Sequence, residues 1–268
     1  MRTSRSPSRA ANPPPPSHSI WPWILIAVVA VVAVAVAVMP ASAIGRFLPE
    51  AVRAEDFSGS LWHGSAGRIW IGQRDAGALE WRLHPAALLH LSVDAEFHWV
   101  KVGFVIDGTA SLDRKRFTAR DLKGAGPLQD LRDFGIDANW RGSAEIAFRE
   151  ITGTFTQLTS AVGRIAVANF STPQLAEGAD WGGYALELRA GAVTADGGVN
   201  AILSDTGGPL EFQGRAHVSP VQRLGTLAGT VKERTGAPLP LRRQLADLAQ
   251  MRGRDSEGRI PLDLEFTF

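Results

Sequence analysis

Histidine is the residue type in this chain best suited to acid–base catalysis or metal binding, because its charge changes between pH 5 and 8. A helical zinc motif places two histidines four residues apart, and no pair in this sequence has that spacing. Histidines scattered through strands are more typical of surface or packing positions. We therefore predict no metal site from the six histidines, which are His18, His63, His84, His90, His98 and His217.

The serine, glycine and carboxylate motifs that carry other chemistry also fail on their spacing. A nucleophile elbow would need glycine at position 63, where His63 stands. The glycines at 124 and 126 lack the third glycine of a dinucleotide-binding loop, and no phosphate-binding G-x-x-x-x-G-K-[ST] sequence occurs. Asp94 and Glu96 share one face of a predicted strand, so we expect them to be solvated.

Composition excludes further classes of function. The chain contains no cysteine, which excludes thiol catalysis, thiol redox chemistry and cysteine zinc sites. Its 28 basic and 27 acidic residues form no basic stripe, so we expect no nucleic-acid partner. We predict a protein that is not an enzyme, with no catalytic residue, no cofactor and no metal.

The tryptophans beyond residue 60 are the remaining candidates for function. Packing in the core is the reading we favour for most of them, because a β domain without disulfides needs that burial. An apolar groove or a partner surface stays open as the alternative. These residues are Trp62, Trp70, Trp81, Trp99, Trp140 and Trp181.

One uncharged stretch, from Ile20 to Met39, organises the rest of the chain. Its twenty residues include eleven Ile, Leu or Val residues. As a helix it would be about 30 Å long, which matches the hydrocarbon core of a bilayer. The sequence therefore predicts that residues 20–39 form a transmembrane helix in contact with membrane lipid.

The flanks of this stretch predict its orientation. Residues 1–19 carry Arg2, Arg5 and Arg9 without an acid, so we expect a disordered tail on the cytoplasmic side. A single-pass inner-membrane protein follows, with a linker at 40–56 and a β-rich domain at 57–268 in the periplasm. A signal peptide cleaved after Ala41-Ser42-Ala43 is the alternative.

Beyond the linker the pattern is mainly β. Alternating apolar residues separated by glycine-rich turns predict an antiparallel-rich, curved sheet or sandwich-like domain with a few short helices. Helices are predicted at 85–89, 127–134 and 239–251. Strands are predicted at 57–72 (two strands around a turn at 63–67), 77–83, 91–100, 102–112, 117–122, 136–148, 163–168, 184–190, 198–203, 210–218, 223–231 and 260–268.

Four segments resemble a known family. Gly59, Ser60, Trp62, Gly64 and Ala66 are similar to the G-T-x-W-x-G-x-A strand of type II secretion system protein N, also called general secretion pathway protein N, with serine in place of threonine. Residues 81–89 match its W-x-L-x-P-x-x-L-L segment through Trp81, Leu83, Pro85, Leu88 and Leu89. Residues 203–220 and 253–268 resemble its late hairpin and its final strand.

The resemblance implies a subunit of the machinery that exports folded proteins, with other type II secretion subunits in the inner membrane and periplasm as partners. It carries no catalytic residue. We expect an accessory scaffold or assembly factor; a periplasmic β-groove carrier of lipid or another apolar ligand is the alternative. The candidate partner-contact or motif residues are Trp62, Gly64, Trp81, Pro85 and Phe266.

Overall fold

The computed structural model describes residues 34, 38–46, 48–134, 139–172, 181–195, 197–219 and 221–267. Residues 40–268 belong to one compact unit. The predicted membrane helix, from Ile20 to Met39, lies outside the described residues except for Val34, Val38 and Met39. Within the described part of the chain, no helix combines the length and the apolar character that crossing a bilayer requires.

The described residues form thirteen strands in one continuous sheet, in which each strand pairs antiparallel with the next strand along the chain. The prediction of a mainly β, antiparallel domain is confirmed, and the strands form one sheet instead of two stacked sheets. The strands are β1 (Val52–Gly59), β2 (His63–Ile71), β3 (Arg74–His84), β4 (Val93–Lys101), β5 (Phe104–Leu112), β6 (Arg116–Pro127), β7 (Arg141–Thr154), β8 (Leu158–Ser171), β9 (Gly183–Leu188), β10 (Val199–Gly207), β11 (Leu210–Ser219), β12 (Leu224–Glu233) and β13 (Ile260–Thr267).

Four helical segments have described bounds beside the sheet. Three are 3-10 helices: η1 (Ala41–Arg46), η2 (Pro85–His90) and η3 (Leu128–Phe134). The fourth is the α-helix α1 (Leu239–Arg252), which begins with a proline in its first turn and ends before Gly253 at a φ of 78°. The predicted helices at 85–89, 127–134 and 239–251 are confirmed.

The predicted bounds fail at the start of the domain. Residues 40–56, predicted as a linker, carry η1 and the beginning of β1, so the compact unit starts at Pro40 and not at Phe57. The turn predicted at 63–67 is wrong, because the chain reverses at 60–62 and His63–Ile71 is β2. Gly64 stands in a strand because the ring of its cross-strand neighbour Trp81 needs the space.

The register separates an apolar face from a polar face across the whole sheet. Paired positions on one face form a row with one residue from every strand, and every member is apolar or glycine: Phe57, Ala66, Leu79, Trp99, Ile106, Gly124, Ile146, Ile165, Leu186, Leu203, Gly214, Gly229 and Leu262. We call this side the inner face.

The positions one residue earlier or later point to the opposite side, as the twofold period of a strand requires. We call that side the outer face. Its corresponding row is mostly polar: Ser58, Ser65, Glu80, His98, Asp107, Lys123, Ala147, Arg164, Glu187, Ile202, Arg215, Ala228 and Asp263. Acidic and basic residues mix along it.

Three short elements cover parts of the inner face. The α-helix α1 buries Leu241 and Leu245 against Phe212 and Ile260. The 3-10 helix η3 buries Leu128 with Phe104 and Ala144. The connection between β9 and β10 buries Ala192 with Ala161, Leu188 and Ala201. Because these covers are separate, the core formed by the described residues divides into three clusters along the inner face.

Truncation of the residue at the centre of one cluster tests this arrangement. Phe104 is fully buried, with its ring centroid 6.3 Å from that of Trp99. We expect Phe104→Ala to lower the free energy of unfolding by about 3–5 kcal/mol, because it leaves a cavity beneath η3. Urea unfolding of the full chain in detergent, followed by tryptophan fluorescence, measures this.

Val102, two residues earlier, provides the control. It is 85% exposed and has a φ of +52°, which valine adopts poorly and asparagine tolerates. Val102→Asn is expected to leave the free energy of unfolding unchanged or to raise it. Equal losses in the two variants would contradict the cluster described here.

Candidate functional site

The polar outer face holds an ion pair but no catalytic arrangement among the described residues. His98 Nδ1 lies 2.6 Å from Asp107 Oδ1, with 42% and 63% of the two side chains exposed. Ser65 is two strands from His98, about 10 Å across the sheet, with Glu80 between them. In the part of the chain that the structure describes, no three His, Asp or Glu residues form a group able to hold a metal ion. An exposed pair of this kind contributes little to stability.

Three of the candidate motif residues meet at the corner of β1, β2 and β3. Trp81 donates its indole N–H to the carbonyl of Leu61 at 2.9 Å, and its ring meets Phe57 edge-on at 6.5 Å. A Cβ at Gly64 would lie 2.7 Å from the ring atom Cζ2 of Trp81. The carbonyl of Trp62 accepts the N–H of Leu83 at 2.8 Å. The W-x-G and W-x-L motifs therefore fix this corner by packing and hydrogen bonding.

The other two candidates stand apart from that corner. Pro85 is the first residue of η2, which directly follows β3. Phe266 lies on β13, where it pairs with Gly225 of β12. The structure thus groups four candidates near β1 to η2 and places Phe266 at the opposite end of the strand order. As partner contacts, all five remain predictions.

A cavity of about 760 Å³ on the inner face is lined almost entirely by apolar residues. Ile165 and Val167 of β8, Tyr184 of β9 and Leu203 of β10 lie between its two sides. Leu128 and Leu131 of η3 line one side, and Leu241, Leu245 and Leu248 of α1 line the other. The cavity is therefore the stretch of the inner face that neither η3 nor α1 covers.

The cavity shows that the sheet is curved. Ile146 of β7 and Leu262 of β13 both line it, although their strands are six positions apart in the sheet. On a flat sheet that separation would be about 29 Å, because neighbouring strands lie about 4.8 Å apart. The inner face is concave here, and its alternate side chains converge.

Aromatic rings extend from β7 to β11 along the cavity. Trp140 meets Phe170 at 5.3 Å, Phe170 meets Tyr184 at 6.3 Å, and Tyr184 meets Phe212 at 6.5 Å, all edge to face. The hydroxyl of Tyr184 donates to the carbonyl of Trp181 at 3.0 Å. The buried indole N–H of Trp181 has no acceptor among the described residues.

The described lining is nearly free of polar groups. None of its residues is charged, and Gln244 of α1 is its one amide side chain. The acid nearest in register is Asp205, which pairs with Tyr184 across β9 and β10 and has a side chain only 9% exposed. Its carboxylate accepts Arg234 at 2.5 Å and the N–H of Phe212 at 3.0 Å, so its charge is compensated.

Sequence reasoning anticipated the apolar inner face but not the residues of the cavity. Alternation in each strand predicted which side chains share a face, and the carrier hypothesis required such a face to remain uncovered. That hypothesis weakens if residues 239–251 plug the face. The helix α1 packs with Phe212, Val231 and Ile260 in one buried cluster and lines one side of the cavity, so it covers only part of the inner face.

The comparisons with known proteins give one match. The family model for type II secretion system (T2SS), protein N matches residues 50–263, which include all thirteen strands except the end of β13. Comparison with curated proteins and with solved structures found no match.

The packing of Trp81 on Gly64 leads to a testable prediction about the W-x-G motif. A Cβ at Gly64 would also lie 2.6 Å from the carbonyl oxygen of Ser60. We expect Gly64→Ala to lower the free energy of unfolding by about 1–3 kcal/mol, the usual cost of overpacking. Gly45→Ala is the matched control, because its Cβ would meet Phe57 at an ordinary 3.4 Å. If thermal unfolding shows equal stability for the two variants, the packing explanation fails.

The ion pair beside the cavity gives a second prediction. Arg234→Ala leaves the carboxylate of Asp205 buried without its counter-ion, so we expect a loss of about 3 kcal/mol in the free energy of unfolding. Arg189→Ala breaks the pair with Glu187, whose side chains are 71% and 40% exposed, and should cost less than about 1 kcal/mol. Urea unfolding of both variants checks the difference, and a larger effect at Arg189 would contradict it.

Proposed function

The chain belongs to the type II secretion system protein N family, and from that premise we propose that it is a non-enzymatic accessory scaffold or assembly subunit of the type II secretion machinery. Its role is to hold neighbouring subunits by contact. Its partners are other secretion subunits in the inner membrane and periplasm. Candidate contact residues are Trp62, Gly64, Trp81, Pro85 and Phe266.

We further propose that residues 20–39 remain as the membrane anchor, with residues 1–19 cytoplasmic and the β domain periplasmic. The packing around η1 supports retention over cleavage after Ala43. Ala41 is 1% exposed, and Pro40 forms a β-bridge with Ser60. Cleavage after Ala43 would remove both Pro40 and Ala41 from the domain, together with these contacts.

The edge of the sheet at β13 carries the scaffold proposal. Among the described strands, β13 pairs with β12 alone. Pro261 pairs with Thr230 but has no N–H to donate to β12. The backbone polar groups of residue 261, and of every second residue after it, therefore point away from β12. The N–H groups of Asp263 and Glu265 are then available for a partner strand. Such pairing would add a fourteenth strand.

Mixed charge supports a protein partner over a nucleic acid. Along the outer row, Asp107 neighbours Lys123, and Arg164 neighbours Glu187. A nucleic acid would require a basic stripe to neutralise its phosphates. We propose that the partner at the β13 edge is a protein.

The mass of the protein extracted from membranes tests anchor retention. We expect the intact chain of 28.7 kDa, with a tryptic peptide spanning residues 10–46. A mature protein beginning at residue 44 would overturn the anchor and leave the scaffold role to be tested separately.

A proline at the free edge tests the scaffold role. Glu265→Pro removes an N–H that points away from β12, so the fold is expected to survive while pairing with a partner strand is lost. We expect secretion of a folded cargo protein to fall at least fivefold. Glu265→Ala is the control, because it removes the charge and keeps the N–H; it should secrete normally.

Crosslinking gives an independent readout of the same edge. A photoreactive residue at position 265 is expected to label other secretion subunits in intact cells. The same residue at Gln213, an exposed position within β11, should not label them. Normal secretion by Glu265→Pro, together with no labelling from position 265, would contradict the proposal that β13 pairs with a partner strand.

A further inference from the structure

We propose that the cavity between η3 and α1 binds an acyl chain of a membrane lipid. This inference goes beyond the scaffold role, because it concerns a ligand site inside the domain. It commits to the acyl chain among the apolar ligands that the carrier hypothesis leaves open.

The size of the cavity fits such a ligand. Its volume of about 760 Å³ falls within the range of about 300–1,000 Å³ that is usual for small-molecule sites. It extends from Leu131 on η3, past Leu203 on β10, to Leu262 on β13. An extended hydrocarbon chain can follow this path across the strands.

The lining selects for hydrocarbon over a peptide. A bound peptide segment would bring backbone N–H and C=O groups into the cavity, where each needs a hydrogen-bonding partner. Gln244 is the one amide side chain among the described lining residues, and Asp205 nearby is already paired with Arg234. An acyl chain brings no polar group of its own to the cavity, so it adds no unpaired donor or acceptor to the indole N–H of Trp181.

The exposed members of the lining show where a headgroup would lie. Gln244 is exposed, Trp140 is 36% exposed and Leu264 is 46% exposed, whereas Leu241 and Leu210 are buried. The cavity therefore opens to solvent at Gln244, Trp140 and Leu264 and is closed where Leu241 and Leu210 lie. A lipid whose chain occupies the closed part keeps its polar group at one of these openings, in water.

Photolabelling of the full chain in living cells tests this inference. Cells that produce the protein are fed a fatty acid bearing a diazirine and an alkyne, which they incorporate into membrane lipids, and are then irradiated. Tryptic peptides separate the possible sites: residues 165–189 and 190–215 contain cavity residues, and residues 10–46 contain the predicted anchor. We expect adducts in both cavity peptides. Adducts confined to residues 10–46 would overturn the proposal.

Two variants at neighbouring positions of β10 locate the ligand on one face of the sheet. Leu203→Trp fills the cavity, whereas Ile202→Trp makes the same change in size on the outer face. We expect Leu203→Trp to reduce adducts in the 165–189 peptide at least tenfold and Ile202→Trp to reduce them less than twofold. Equal labelling in the two variants, with both folded by thermal unfolding, would also overturn the proposal.

The labelling of the unmodified chain decides the question even if Leu203→Trp fails to fold. Failure of this inference is distinguishable from failure of the scaffold role, because secretion and crosslinking at position 265 are measured separately. Normal secretion by a Leu203→Trp variant that has lost its adducts would support the cavity as a lipid site and leave the edge proposal unaffected.

Discussion

The structure depends on one constraint: the described strands form a single sheet, and its apolar inner face must be buried with no second sheet among the described residues to pack against. Every strand contributes an apolar residue or glycine to the row from Phe57 to Leu262. The chain has no cysteine, so no disulfide stabilises the layer. Curvature and three short covers, η3, the β9–β10 connection and α1, therefore do the burying. Their spacing leaves the cavity above β8, β9 and β10.

The strands and helices were predicted well because each is marked by a short-range period of apolar residues in the sequence. Alternation of Leu79, Trp81 and Leu83 marks β3, and Leu241, Leu245 and Leu248 mark the buried stripe of α1. The turn predicted at 63–67 was wrong for a long-range reason. Gly64 serves the ring of Trp81, seventeen residues later, and a glycine in a strand gives the same local signal as a glycine in a turn.

The candidate site was less predictable than the strands. Periodicity assigns Leu203 and Ile165 to one face, but the curvature that brings Ile146 and Leu262 to one cavity arises from the whole sheet. Gly64 and Trp81 carry packing that few side chains satisfy, and Trp62 contributes its backbone carbonyl to the N–H of Leu83.

The two proposed surfaces meet on β13. Leu262 and Leu264 turn their side chains to the cavity, while the backbone at Asp263 and Glu265 points to the free edge. Pairing with β12 fixes both the side chains that face the cavity and the backbone groups that face the free edge, because successive residues of a strand point in opposite directions. A strand added at this edge would lengthen the inner face next to Leu264, which is 46% exposed. Partner binding and burial of that leucine are then geometrically linked, because the same strand supplies both surfaces.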